Sequence, residues 1–326
     1  MIDPATLATG VTLAKALEKP IASIFDAATG PLKNLAAKWS VAGKKDAIVQ
    51  TIAEVELVRT ISSQERVPLS QFYYPARIQN RMTANIIPSR KVRLASESID
   101  DKNIVIYGTV GQGKSIFMRY LCPQELIEAR RIPIFVEFRS IDAHSTLRET
   151  LLKTLELLGF GKLSEGDLGF LLKTGSLIIF LDGFDEIKRE LIPAVTSELI
   201  TLTKISPQTR WVISSRPGSL SAHLSGMPFL HRVSIAPLAD EDFEPFLTAL
   251  QVPQETRDKL ISAIAKSPIE IRGILKTPLM LTLLNMTFGT STHVPTTLHE
   301  FYESMFLFLV YRHDETKPGF IRAKVT

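Results

Sequence analysis

Gly108, Gly113, Lys114 and Ser115 occupy the fixed positions of a G-x-x-x-x-G-K-[ST] pattern, with Thr109, Val110, Gly111 and Gln112 between them and Ile116 after. These residue types suit one task, the holding of nucleotide phosphates. Glycines let successive backbone N–H groups turn inward without Cβ clashes and so form a nest for an anion. A helix starting near Gly113 would add the positive end of its dipole. Lys114 is then the cation expected to reach the β- and γ-phosphates, and the Ser115 hydroxyl the group expected to ligate Mg²⁺.

A second group of chemical residues follows the apolar run Leu177–Leu181, where Asp182-Gly183-Phe184-Asp185-Glu186 places three carboxylates within five residues. A carboxylate at the carboxyl end of a strand neighbouring the glycine loop is where a phosphate-loop NTPase holds Mg²⁺, which points to Asp182. Glu186 is placed to orient or deprotonate an attacking water. A third candidate is Arg216 in Trp211-Val212-Ile213-Ser214-Ser215-Arg216-Pro217, at the end of another apolar run. From there a guanidinium can reach a γ-phosphate as a sensor or charge stabiliser.

Such side chains need a rigid frame, and the surrounding pattern supplies one. Ile104–Tyr107 is a short apolar run between Asn103 and Gly108, as expected of a buried strand, and an amphipathic stretch with Ile116, Tyr120 and Leu121 follows the loop. Further strands are expected over Pro133–Phe138, Leu177–Leu181, Arg210–Ser214 and Arg232–Ile235. Between them, Ser145 is placed to cap a helix ending near Gly159, and Ser164–Asp167 to start another ending at Gly175. Strands alternating with helices predict an α/β fold whose parallel sheet is covered on both faces. After Pro237 the pattern is helical only, with segments over 254–266, 269–276, 278–288 and 297–311. Ahead of the core, short helices are expected within residues 1–40, on Leu7-Val11-Ala14, Ile21-Ile24-Phe25 and Leu32-Leu35-Trp39. A longer one over 41–65 runs into an aromatic extended stretch, and residues 76–100 read as a basic linker with a strand or two.

With 326 residues, the chain is long enough for two or three packed units. A net charge of +4 is too weak for the concentrated positive field of a nucleic-acid binder, and the basic cluster Arg90, Lys91 and Arg93 reads as a solvated face. One cysteine, Cys122, leaves no disulfide framework, and the six scattered histidines have no zinc spacing. Neither an apolar run of membrane-spanning length nor a basic-then-apolar leader is present, so the expected setting is cytoplasmic.

Taken together, GTVGQGKS, LIIFLDGFDE, ISSRP and Thr277-Pro278-Leu279-Met280-Leu281 resemble a NACHT-type member of the STAND class of signalling ATPases, related to NLR immune receptors. The resemblance spans about residues 45–320 and is most specific from 103 to 217. It implies a P-loop NTPase fold with a five-stranded parallel sheet and a small helical domain. The cofactors implied are ATP or ADP with Mg²⁺, held by the loop residues Gly108 to Ile116 with Asp182 on the metal. Asp185 and Glu186 would be the acidic pair for hydrolysis, Arg216 the sensor, and Pro278 the proline packed against adenine. It also implies slow ATP hydrolysis coupled to homo-oligomerisation, with protein partners for sensing or effector function, as in bacterial antiphage proteins.

The expected organisation is a helical segment at 1–40, a lead-in at 41–100, the nucleotide-binding core at 101–236, a helical domain at 237–296, and the start of a winged-helix region at 297–326. A NACHT protein normally continues through that winged helix, whose nucleotide-contacting histidine is not identifiable before Thr326, so a fragment or a short family member is expected. Two alternatives stand beside the switch: a non-catalytic nucleotide-binding scaffold or inhibitor lacking its sensor, and an AAA-like motor ATPase.

Overall fold

The computed structural model describes residues 17–27, 42–60, 65–80, 86–88, 103–127, 131–228, 230–291 and 294–315. The expected helices on Leu7–Ala14 and Leu32–Trp39, the Arg90–Arg93 cluster and the last eleven residues lie outside them. Helices α1 (Glu18–Ala27) and α2 (Ala42–Glu56) come first, then strands β1 (Leu57–Arg59), β2 (Arg66–Pro68), β3 (Arg77–Asn80) and β4 (Ile86–Pro88). The core elements are β5 (Asn103–Tyr107), α3 (Lys114–Ile127), β6 (Ile132–Glu137), α4 (Leu147–Leu155), α5 (Glu165–Lys173), β7 (Leu177–Asp182), α6 (Ile192–Ile205), β8 (Arg210–Ser215) and β9 (Leu230–Ile235).

β5, β7 and β8 are buried at every residue, as continuous apolar runs require of strands covered on both faces. Strand alternation divides their side chains between two cores. Ile104, Ile106, Ile178, Phe180 and Val212 pack with Phe117, Met118 and Leu121 of α3. Val105, Ile179, Leu181, Trp211 and Ile213 face the other way, into a core shared with residues of α4, α5 and α6. Leu17, Ile21 and Ile24 belong to that second core, so the apolar face of α1 packs on the chain's own interior.

The strand order is β4-β3-β9-β5-β8-β7-β6, in which β9, β5, β8, β7 and β6 run parallel. The five parallel strands are those expected. β3 pairs antiparallel with β9, and β4 with β3, so the sheet has seven strands among the described residues. These two cover the backbone of β9 that would otherwise form an open edge. The fold is therefore α/β, with a mostly parallel sheet flanked by helices.

Two local expectations shift. The helix expected over 41–65 stops at Glu56, because the Leu57-Val58-Arg59 run pairs with Arg66–Pro68 in a two-stranded ribbon; the β-branched pair Val58–Val67 packs well across such a ribbon. The cap of α4 is Thr146 rather than Ser145: Thr146 Oγ1 accepts from Glu149 N–H, and Glu149 returns a bond to the Thr146 N–H. Ser145 is instead buried, donating to Asp142 Oδ1 at 3.1 Å. Ser164 caps α5 as expected, with Asp167 closing the box.

Two compact units divide the chain: residues 1–71 with 75–236, and residues 72–74 with 237–326. The second is helical, with α7 (Phe243–Ala249), α8 (Gln254–Ala265), α9 (Ile269–Leu275), α10 (Pro278–Ser291) and α11 (Leu298–Glu315). The Tyr73-Tyr74 stretch contributes to it, since Tyr74 donates to Asp242 Oδ1 at 2.7 Å and meets Phe246 edge-on. No helix among the described residues is long and apolar enough to cross a membrane.

Candidate functional site

The phosphate loop hangs from the end of β5. Its first residue is anchored to the adjoining strand, where Gly108 N–H donates to the Ser215 carbonyl at 3.3 Å. Gly111 and Gly113 have φ of 77° and 86°, the left-handed region that glycine enters without Cβ strain. Gln112 braces the loop from inside, its Oε1 accepting the Thr109 N–H at 2.5 Å. Thr109 and Val110 are exposed at the tip, Ile116 is half-buried, and Ser115 is exposed on the first turn of α3.

The first bond into α3 runs from Phe117 N–H to the Gly113 carbonyl, so the N–H groups of the helix's first turn ahead of it have no helical partner. Lys114 curls back over the same loop, donating from Nζ to the Gly108 carbonyl at 2.8 Å and the Thr109 carbonyl at 3.3 Å. Burial lowers its pKa below the ordinary lysine value, Arg216 adds to the effect, and Asp185, Asp182 and Glu186 oppose it. A half-buried cation held by neutral carbonyls is poised to gain from an incoming anion.

The loop is shaped around the lysine. A Cβ on Gly108 would lie 2.9 Å from Lys114 Cγ and 3.1 Å from Gln112 Oε1. The loop, its free donors and Lys114 therefore fit the phosphates of a nucleotide.

The sequence suggested that Asp182 stands on a strand neighbouring the loop strand. The structure corrects this: β8 lies between β5 and β7, with Ile106 paired to Ser214 and Leu181 to Ile213. Sequence periodicity carries no information on strand order, which depends on how the crossovers wind. The intervening strand fills the gap chemically. Ser214, fully buried, donates from Oγ to Asp182 Oδ1 and accepts the Gly183 N–H at 2.8 Å. Gly183 has φ of 79°, so the chain turns at once after Asp182.

Asp185 and Arg216 meet each other. Arg216 Nε lies 2.9 Å from Asp185 Oδ2, and the Arg216 backbone N–H donates to Asp185 Oδ1 at 2.8 Å. This double tie joins the turn after β7 to the end of β8. Glu186 is exposed, on a single helical turn whose N–H bonds the Gly183 carbonyl. Pro278 belongs to the second unit, where it opens α10.

For Mg²⁺, the donors at hand are the Ser115 hydroxyl and the Asp182 carboxylate. Among the described residues no group of three or more His, Cys, Asp or Glu could hold a metal by itself. Mg²⁺ keeps several waters and takes one or two protein oxygens along with substrate phosphates, a demand that a hydroxyl and a carboxylate can meet.

The role of Ser214 was not read from the sequence. Its signal was there, in a hydroxyl pair closing an otherwise apolar strand in the ISSRP run.

No protein-family profile and no curated protein matches this chain. Similar solved structures include an ORC1 protein of Aeropyrum pernix in complex with DNA, at 17% identity, TM-score 0.35, covering 64% of this chain and 59% of that one. This chain thus spans less than two thirds of that protein. A Walker-type ATPase of Pyrococcus abyssi aligns at 15% identity and TM-score 0.44, over 69% of this chain and 73% of its own. Domain III of the replication initiation protein DnaA from Thermotoga maritima aligns at 15% identity and TM-score 0.37, over 68% and 90%. The likeness is one of α/β fold and goes no further.

Proposed function

We propose that this chain is an ATP- and ADP-binding switch of the NACHT or STAND type. The observation that carries the reading is the phosphate loop itself: left-handed Gly111 and Gly113, unpaired N–H groups at the start of α3, and a desolvated Lys114 folded over the Gly108 carbonyl. Gly108 to Ile116 bind the phosphates, with Ser115 and Asp182 on Mg²⁺. The bound ion supplies charge neutralisation on the phosphates and orients them.

The chain's own residues do the rest. Lys114 exchanges its carbonyl partners for phosphate oxygens, Ser214 keeps the Asp182 carboxylate aimed, and Glu186 orients the attacking water and holds its proton. Arg216 senses the γ-phosphate by leaving Asp185, which links nucleotide state to the turn after β7. Pro278 packs against adenine. Slow hydrolysis suits a switch that homo-oligomerises and signals through protein partners, and the reading extends, on the sequence resemblance alone, to bacterial antiphage defence in the cytoplasm. The weak net charge of +4 supports a reading in which nucleic acid is not its primary ligand.

A second reading has its own observation. Asp185 is fully engaged by Arg216, through side chain and backbone, so neither is free for hydrolysis unless that tie opens. A chain in which it stays shut is a non-catalytic scaffold with ADP as a structural ligand.

The test is to denature purified protein and resolve the released nucleotide by anion exchange, then to titrate Lys114→Ala with ATP by calorimetry. Stoichiometric ADP and an affinity loss of roughly tenfold or more, the value of a charge-assisted hydrogen bond, are expected. Unchanged ATP affinity in Lys114→Ala overturns the assignment. Measurable turnover favours the switch, and retained ADP without turnover favours the scaffold.

A further inference from the structure

A cleft of about 310 Å³ opens beside the carboxyl end of β6, and no residue of the phosphate loop lines it. Its walls carry three guanidiniums, from Arg66 on β2, Arg119 on α3 and Arg139 in the turn after β6, against a single carboxylate, Glu137. Glu137 is shared. Its Oε1 accepts from Arg119 Nη2 at 2.6 Å, and its Oε2 accepts from Arg139 Nη2 at 2.6 Å and Nε at 2.8 Å. Arg119 is also held by the Val55 carbonyl, to which Nη1 donates at 2.9 Å, and its guanidinium lies 5.0 Å over the Phe135 ring. Arg66 has no acidic partner among the described residues. Among the described lining residues three positive charges stand against one negative, a formal charge of +2, with Asp182 and Glu186 near enough to act on Arg139 from outside the lining.

We propose that this cleft is a second anion site, which binds the dianionic phosphate group of inorganic phosphate or a small phosphomonoester. Charge argues for a dianion, since one carboxylate would neutralise only half the excess. Guanidinium chemistry argues for phosphate, because planar forks match its oxygens in pairs. The hydroxyls of Thr150 and Thr154 donate to the Thr146 and Thr150 carbonyls, so recognition rests on the arginines. Arg66 and Arg139 are exposed and meet the anion first, and half-buried Arg119, over Phe135, forms the floor. The volume is at the lower end of small-ligand pockets, which suits a phosphate with little attached to it.

The position gives the site a route to the phosphate loop. Arg119 is on the helix that begins with Lys114 and Ser115, and Glu137 stands in strand register with Asp182. An anion that draws Arg119 from Glu137 therefore acts on α3 and on the strand end that pairs with Asp182.

The test separates this site from the loop. Lys114→Ala protein, in which the loop's phosphate contact is removed, is titrated with inorganic phosphate by calorimetry, alone and with Arg66→Ala and Arg139→Ala added. One phosphate site should persist in Lys114→Ala, and its affinity should fall roughly tenfold or more on adding the two arginine substitutions. Phenyl phosphate runs as the parallel arm. Tighter binding than inorganic phosphate assigns the cleft to an ester whose apolar part lies on Phe135, and equal binding assigns it to phosphate itself. Absence of any phosphate site in Lys114→Ala, or affinity unchanged by the arginine substitutions, overturns the proposal. Circular dichroism of each variant checks folding, and Arg66→Lys with Arg139→Lys retains charge while removing the forks. That pair should bind more weakly than wild type and more tightly than the alanine pair.

Discussion

Replacing Ser214 by alanine tests the least expected contact in the site. The hydroxyl donates to Asp182 Oδ1 and accepts from Gly183 N–H, and Ser214 and Asp182 are 0% and 7% exposed. Alanine removes a hydrogen bond to a charged group, worth ~1.5–3 kcal/mol, and strands a buried N–H at a cost of ~1–3 kcal/mol. These two terms share one side chain, and relaxation recovers part of the sum, so a destabilisation of about 3 kcal/mol is expected. Urea unfolding should show it as a lower midpoint at unchanged slope.

A double-mutant cycle with Asp182→Asn isolates the pair, and a coupling of ~1–3 kcal/mol is expected for groups in direct contact. In ligand terms, the gain in ATP affinity on adding Mg²⁺ should shrink in Ser214→Ala, while Mg²⁺-free binding through Lys114 holds. Additive effects within about 0.5 kcal/mol, together with an unchanged Mg²⁺ response, would refute the view that Ser214 aims Asp182.

Glu186→Gln should leave ATP binding intact and slow hydrolysis by ~10²-fold or more, read in single-turnover assays; normal turnover moves the water-orienting role elsewhere. Gly108→Ala and Gly113→Ala should fail differently. At Gly108 the added Cβ meets Lys114 Cγ at 2.9 Å, so nucleotide affinity should drop with the fold intact. At Gly113 nothing lies within 4 Å but φ is +86°, so a backbone penalty of about 1–2 kcal/mol should appear in unfolding as well. Lys114→Met gives a pH test. Burial lowers the Lys114 pKa, so the charged form destabilises the fold below that pKa, and the penalty fades as pH rises towards the unfolded value of 10.5. The methionine variant should therefore be the more stable near neutrality, with the difference closing at alkaline pH; a difference independent of pH excludes this cause. Deleting residues 1–28 removes Leu17, Ile21 and Ile24, exposed by 0%, 4% and 0%, and should cost about 5 kcal/mol or more in thermal or urea unfolding. A deletion protein of unchanged stability would show that α1 is not part of the core.

Much of the site was legible before the fold. The spacing of Gly108, Gly113, Lys114 and Ser115 announced the loop because phosphate binding there relies on local backbone conformation, which neighbouring residues control. β5, β7 and β8 were legible as strands for a related reason: a strand buried on both faces is apolar on consecutive residues through its middle, as in Ile104–Ile106, Leu177–Leu181 and Trp211–Ile213. The capping box at Ser164 was equally local. The end of the helix at Glu56 was not, because Leu57–Arg59 continues a helical apolar pattern and is drawn into a strand by pairing with Arg66–Pro68. Such pairing has no trace in the helix's own periodicity.

What the amino-acid sequence determined alone was the chemistry available: an anion nest, a lysine, a hydroxyl, and carboxylates at a strand end. Tertiary structure decided which of these groups meet. It inserted β8 between β5 and β7 and so brought Ser214 to Asp182. It paired Arg216 with Asp185, and it gathered Arg66, Arg119 and Arg139 around Glu137 from three separate stretches of chain. Local motifs survive in sequence because their geometry is fixed within one turn or loop. Contacts between strand ends depend on the order in which crossovers lay the strands down, and no periodicity records that order.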